Sequence, residues 1–306
     1  MQTSRRSILK GSILASLAGT MGATAMSASA AEKQAALPKK EYDLVICGLG
    51  IGGIVTAIRA AQDGLKPVIL EKMSSASGNT IYSAGFMLGV NTKMQQEKKL
   101  ETGDTVDKFY EDMMKVSQGR GDPKLTRLVA EKADETLNWL HDYVGVKYAV
   151  GMKLVWPMLQ RAHLTIGEKK PGGTQLMLYL LAKAKELNVP IVYNAKAVEL
   201  LDNPQNGKVI GVKVKSKEGF EEYFGKYGVV MATGGFSANK MMLTMMAGVP
   251  AANMPVRGSH SVTGESILLT GPYFPKVVNV DQYHCGPIHG PTGANPLNIV
   301  NTGIAV

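Results

Sequence analysis

The first chemical signal in this 306-residue chain is a glycine turn followed by one acid. Val45-Ile46-Cys47-Gly48-Leu49-Gly50-Ile51-Gly52-Gly53 is a G-x-G-x-x-G pattern, and Glu71 stands 18 residues beyond its last glycine. Gly48 permits a tight turn, Gly50 lets the backbone approach a pyrophosphate, and Gly53 lets a following helix pack closely against the preceding strand. A helix that starts at Ile51 and Gly52 turns its unpaired N–H groups and the positive end of its dipole toward phosphate oxygens. A carboxylate at Glu71 can accept hydrogen bonds from ribose hydroxyls. The chemistry is the holding of the adenosine diphosphate half of FAD or NAD, and hence redox work. A G-x-G-x-x-G alone is a weak signal that an unrelated α/β unit can carry; the elements around it and the acid favour the dinucleotide site.

Those elements are legible. Tyr42 to Cys47 is a short apolar run suited to a buried parallel strand. Ile51 to Gln62 is expected as the helix, Lys66 to Leu70 as the second strand, and Glu71 as its end. Helices are expected over Asp104 to Ser117, Pro123 to Tyr143 and Gly172 to Asn188. In the second of these, Leu125, Leu128, Val129, Ala133, Leu137 and Leu140 recur at helical spacing. Ile191 to Tyr193, Ala197 to Leu201, Val209 to Val214 and Tyr227 to Met231 have strand character, with a turn at Asn203 to Gly207. The fold class is therefore α/β, Rossmann-like.

The amino terminus has a different composition. Ser4-Arg5-Arg6-Ser7-Ile8-Leu9-Lys10 resembles a twin-arginine export signal, and a Gly-, Ala- and Ser-rich apolar stretch leads to Ala28-Ser29-Ala30, an A-x-A-like cleavage site. Residues 1–30 are expected to be a signal peptide and 31–40 a linker, with a periplasmic destination and no stable membrane anchor, the apolar stretch being short for a span. Export in the folded state suits a protein that must acquire its cofactor first. Hydrophobic residues make up 45% of the chain and mean hydropathy is −0.02, as for a soluble globular protein. The formal charge is +9, of which residues 1–30 supply +3. The remaining positives are scattered, which argues for a solvated surface and against nucleic acid. Cys47 and Cys285 are the only cysteines, so no four-thiolate iron–sulfur cluster is possible, and no C-x-x-C-H exists for a c-type haem. The 17 methionines are core filler, and no metal site is expected.

From about Glu41 onward the chain resembles the flavoprotein subunits of the fumarate reductase and succinate dehydrogenase superfamily, most closely the soluble periplasmic branch with flavocytochrome c and urocanate reductase. The resemblance rests on the glycine turn, Glu71-Lys72, Ser77-Gly78-Asn79-Thr80 with Ser83-Ala84-Gly85, Asn194-Ala195-Lys196-Ala197, Ala232-Thr233-Gly234-Gly235-Phe236, and Thr263-Gly264-Glu265 in place of T-G-D-G. It implies an FAD-binding domain over 41–240 and, over 241–306, the end of the FAD-contacting region and the start of an inserted α+β capping domain. It assigns Gly48, Gly50, Ile51, Gly52, Gly53, Glu71, Lys72, Asn79, Thr80, Ala84, Gly85, Ala197, Thr233, Gly234 and Glu265 to the cofactor. Membrane-bound relatives carry at the Asn79 position a histidine joined covalently to the flavin, so non-covalent FAD is expected.

The resemblance also implies the reaction: hydride transfer from flavin N5 to a carbon–carbon double bond beside a carboxylate, in anaerobic respiration, on a small dicarboxylate-like substrate. Electrons would come from a separate donor, a cytochrome c. His284, in Gln282-Tyr283-His284-Cys285-Gly286, matches the family's substrate-binding histidine. His289 and His163 are weaker site candidates, while His141 and His260 are expected to be structural. Two departures stand out. Where soluble fumarate reductases carry a Thr-Glu pair and a relay arginine, this chain reads Asn295-Pro296-Leu297-Asn298-Ile299-Val300. The catalytic arginine of the family has no counterpart before Val306, so the sequence reads as the amino-terminal part of a larger enzyme. The alternatives are a non-catalytic FAD-binding fragment or half of a split enzyme, and a ketosteroid- or aspartate-oxidase-type FAD dehydrogenase.

Overall fold

The computed structural model describes residues 37–282, apart from 101, 102, 155, 169 and 170. A four-stranded sheet lies at its centre. Strands β2 (Leu44–Cys47), β3 (Pro67–Leu70), β7 (Ile191–Val192) and β11 (Val229–Met231) run parallel in the order β11-β2-β3-β7. Side chains alternate across a strand, and the two faces bury different partners. Ile46 and Ile69 meet helices α1 (Ile51–Gln62) and α5 (Gly173–Glu186) through Ile54, Ala57, Ile58, Leu176 and Leu180. Val45, Cys47, Val68 and Leu70 meet Leu200, Val212, Val214 and Tyr223 of a second sheet. That sheet runs β1 (Lys39–Tyr42), β10 (Phe220–Gly225), β9 (Val209–Lys215), β8 (Lys196–Asp202), antiparallel except for the β1–β10 pair. The result is three layers: helices, parallel sheet, antiparallel sheet.

The expected strand Tyr42 to Cys47 is divided between these two sheets. The chain crosses at Asp43, whose backbone N–H donates to Lys66 O and whose carboxylate accepts from Lys66 N at 2.8 Å. The expected linker over 31–40 also gives way, since Lys39 and Lys40 are already paired with Glu222 and Tyr223. Lys40 is held there by Glu221 at 2.9 Å and the Tyr223 hydroxyl at 3.1 Å.

A third, antiparallel sheet, β4-β6-β5 (Phe86–Leu88, Ala162–Ile166, Lys147–Ala149), carries the helical part of the chain. Beside it stand α2 (Lys93–Glu97), α3 (Val106–Val116) and α4 (Pro123–Trp139). Their starts are capped locally: Thr92 and Gln95 form a capping box, Thr105 accepts from Lys108 N, and Asp122 accepts from Lys124 N and Leu125 N ahead of Pro123 at the first helical position. The apolar stripe expected to be buried along α4 divides. Ala130 and Leu137 are buried, but Leu125, Leu128 and Val129 are 63, 51 and 54% exposed. Arg161, 1% exposed, anchors this region: it binds Asp104 (Nη2 to Oδ1, 2.8 Å) and Asp112 (2.7 Å) and lies 4.9 Å over the Phe109 ring.

Two short helices, α6 (Lys240–Ala247) and α7 (Val249–Ala252), follow β11, and α8 (Glu265–Thr270) returns against β8. No described helix is long and apolar enough to cross a membrane.

Candidate functional site

A cavity of about 420 Å³ opens at the carboxyl ends of β2, β3 and β11, lined there by Cys47, Leu70 and Met231. In open parallel sheets this end is where ligands bind. Gly48 leaves β2 with φ +109° and donates its N–H to Leu70 O at 2.8 Å. A Cβ on Gly48 would lie 2.4 Å from Ala232 O, and one on Gly53 only 2.0 Å from Gly48 O, so both glycines are demanded by the chain's own packing. Gly52 differs: its Cβ would meet nothing within 4 Å, although the residue lines the cavity. The space beside it is a cradle that a side chain would fill. The N-terminus of α1 faces this cradle with Gly50 as its N-cap and no side-chain cap on that residue. The Ile51 N–H is met by Thr80 Oγ1 at 2.9 Å.

Glu71, 6% exposed, follows β3. Its two carboxylate oxygens accept from Leu49 N (2.9 Å) and Met73 N (2.8 Å), which joins the glycine turn to the turn after β3. Its backbone continues into the strand beyond, with Ala195 N donating to Glu71 O. Lys72 reaches across the cavity to Glu265 Oε1 at 2.6 Å and Thr263 Oγ1 at 3.0 Å. Burial alone would raise the Glu265 pKa. The Lys72 ammonium and the Thr263 hydroxyl outweigh it, and the carboxyl titrates below its ordinary range. Cys47, at the cavity floor, has its thiol pushed up to about 12 by burial. Thr233 holds α8 by accepting from Ser266 N at 3.1 Å.

Of the expected cofactor residues, the cavity brings together Gly48, Gly50, Ile51 and Gly52 of the turn. With them stand Glu71, Lys72, Asn79 and Thr80, and from later in the chain Ala197, Thr233, Gly234 and Glu265. Gly53, Ala84 and Gly85 do not line it. Ala84 and Gly85 pack on the start of α5, where a Cβ on Gly85 would lie 2.3 Å from Gly172 Cα. His163 stands apart as well. It is fully buried between Thr92 Oγ1 (2.7 Å) and Arg161 O (2.8 Å), and burial lowers its pKa. His141 bonds Val146 O and His260 is exposed. His284, His289 and the Asn295 to Val300 segment lie outside the described residues.

Residues 43–270 match the family model described as an FAD binding domain. The chain belongs to this family. FAD is its cofactor, and the α/β architecture is that of the family's flavoproteins. The chain is 32% identical over 210 residues to the urocanate reductase of Eggerthella lenta, covering 66% of this chain and 33% of that protein. It is 31% identical over 216 residues to a fumarate reductase (cytochrome) of Shewanella frigidimarina, covering 68% of this chain and 36% of that one. Among solved structures, the open conformation of a flavocytochrome c3 fumarate reductase superposes with a TM-score of 0.70 at 28% identity, over 76% of this chain and 40% of the other. The chain thus spans about a third of the length of these curated relatives.

The residues present fit an FAD diphosphate: an uncapped helix start, a glycine cradle and an adjacent buried acid. Sequence reasoning passed over several residues of the cavity wall. Gly78, Ala195 and Lys196 sit inside motifs already singled out. Ser261 and Ser266 flank Thr263-Gly264-Glu265. Their hydroxyls have no local pattern; only the fold brings them to the site.

Proposed function

We propose that this chain is the FAD-binding part of an oxidoreductase that reduces the carbon–carbon double bond of an α,β-unsaturated carboxylate. The observation that carries this is the combination of the glycine cradle and buried acid with relatives named for fumarate and urocanate reduction. When bound, FAD supplies the hydride, from N5, that adds to one carbon of the double bond. The chain's own residues hold and orient. Gly48, Gly50, Ile51 and Gly52 take the diphosphate, Glu71 the adenosine ribose, and Ala197 the neighbourhood of the adenine. Gly53, Lys72, Asn79, Thr80, Ala84, Gly85, Thr233, Gly234 and Glu265 complete the cofactor surroundings, and His284 takes a substrate carboxylate. The FAD is held without a covalent bond, because the residue before Thr80 is Asn79. Residues 1–30 direct export by the twin-arginine route to the periplasm, where a cytochrome c delivers the electrons for anaerobic respiration.

The test is turnover of fumarate, urocanate and methacrylate by the FAD-loaded chain with reduced viologen. Oxidation of the viologen by at least one of them is expected; none, with FAD bound, overturns the enzyme reading for this chain. Acid denaturation should leave the flavin in solution, and flavin staying with the polypeptide overturns the non-covalent reading. One observation favours a second reading, an FAD-binding chain without catalysis of its own: none of the described residues lining the cavity is a histidine or an arginine.

A further inference from the structure

The cavity has one wall built differently from the others. The turns after β2, β3 and β11 are tied to the sheet by backbone hydrogen bonds: Gly48 N to Leu70 O, Ala195 N to Glu71 O, Ala232 N to Cys47 O. The remaining side is closed where residues 72–79 meet residues 259–265. Lys72 Nζ donates to Glu265 Oε1 and Thr263 Oγ1, Ser77 Oγ lies 3.3 Å from Ser261 Oγ, and Asn79 Oδ1 accepts from Ser259 N at 2.8 Å. The two segments therefore run antiparallel in a regular register, with later residues of one opposite earlier residues of the other. Among the described residues no backbone–backbone hydrogen bond joins them, and every polar link uses a side chain. Gly258 lets the segments approach, since a Cβ there would lie 2.6 Å from Asn79 Oδ1. Lys72, Asn79, Ser261 and Glu265 all line the cavity.

We infer that this side-chain seam is the gate of the cofactor site, and that FAD enters and leaves by its parting. The seam can open by rotating a few side chains, whereas every other wall would have to break sheet or turn hydrogen bonds. Glu265 adds to the bias. Its Oε2 is buried without a hydrogen-bond partner, so the closed seam is held chiefly by the Lys72 contact. The inference rests on the reading of the cavity as the FAD site.

The test measures FAD uptake and release by the full chain, followed by flavin fluorescence. A gate that is closed both with and without ligand controls entry and exit alike, so loosening it speeds both and leaves the dissociation constant nearly unchanged. Lys72→Met removes a charge-assisted contact, and each rate should rise about tenfold. Faster release with unchanged uptake would make Lys72 a mere cofactor contact and overturn the gate. In a Cys285→Ser background, Ser77→Cys with Ser261→Cys places two thiols across the seam. Once they are oxidised, loaded FAD should be retained and empty protein should take up none, with both reversed by reductant. Equal rates in the oxidised and reduced forms overturn the gate. A wild-type chain that takes up no FAD overturns the cofactor reading as well, whereas normal uptake that ignores the seam overturns the gate alone.

Discussion

Gly52 and Gly53 are adjacent, both lie in the first turn of α1, and they should respond in opposite ways to the same methyl group. A Cβ on Gly53 would stand 2.0 Å from Gly48 O, and real contacts of this kind stay beyond 3.0 Å. The start of the helix and the glycine turn must then separate by about 1 Å, in a place where Ile46 and Ile54 are fully buried. Overpacking of a filled interior costs about 1–3 kcal/mol, so Gly53→Ala should lose at least that much stability. A Cβ on Gly52 meets no protein atom. Gly52→Ala should leave the empty protein as stable as before or better by about 0.5–1 kcal/mol, since alanine suits a helix more than glycine does. The same methyl occupies the cradle. It should cost a charge-assisted contact between a phosphate and a helix N–H, about 1.5–3 kcal/mol, which is about tenfold to a hundredfold in affinity. Urea unfolding of the empty protein reads the first effect and flavin fluorescence titration the second. Gly52→Ala that binds FAD as wild type does would refute the diphosphate position. Gly53→Ala with undiminished stability would refute the close packing of helix on turn.

Glu71→Ala removes the acceptor of two backbone N–H groups in a buried turn and should cost about 3 kcal/mol in urea unfolding, with FAD affinity falling as well; an unchanged midpoint would contradict it. Arg161→Leu takes away the partner of the Asp104 and Asp112 carboxylates and should lower stability by about 3–5 kcal/mol, seen as a fall in the melting temperature of the empty chain. Glu265 is held below the ordinary carboxyl value of 4.5, so its contribution is fully present above that pH and shrinks as pH falls from there toward the lower native value. Glu265→Gln should therefore flatten the acid limb of the stability profile, and parallel profiles for the two proteins would rule out the role given to Lys72.

The local features of the fold were legible and the non-local ones were not. Helix α1 runs from Ile51 to Gln62 as its apolar spacing predicts, and α4 starts at Pro123 behind Asp122. Strand β1 was hidden, because Lys39-Lys40-Glu41-Tyr42 has no apolar alternation and is a strand only by its pairing with β10. The third sheet is made of strands of three to five residues whose partners lie far along the chain, beyond the reach of periodicity. The stripe on α4 misled because helical spacing reports an apolar face and not what covers it. At the site, the glycines and Glu71 declare themselves within one β–α–β unit. Gly85 carried the same family signature yet packs on α5, and the serines opposite residues 77–79 acquire meaning only when the chain returns at 259–266.

Cys47 turns the floor of the cavity into a reporter. With its thiol raised to about 12 and 1% exposed, almost none of it is the reactive thiolate at neutral pH, and no alkylating reagent reaches it while the parallel sheet is intact. Labelling of this sulfur in a Cys285→Ser chain therefore counts the openings of β2 itself. Because the cysteine borders the cavity, its labelling rate should also fall as the site fills, so one thiol can follow folding and occupancy in a protein without any introduced probe.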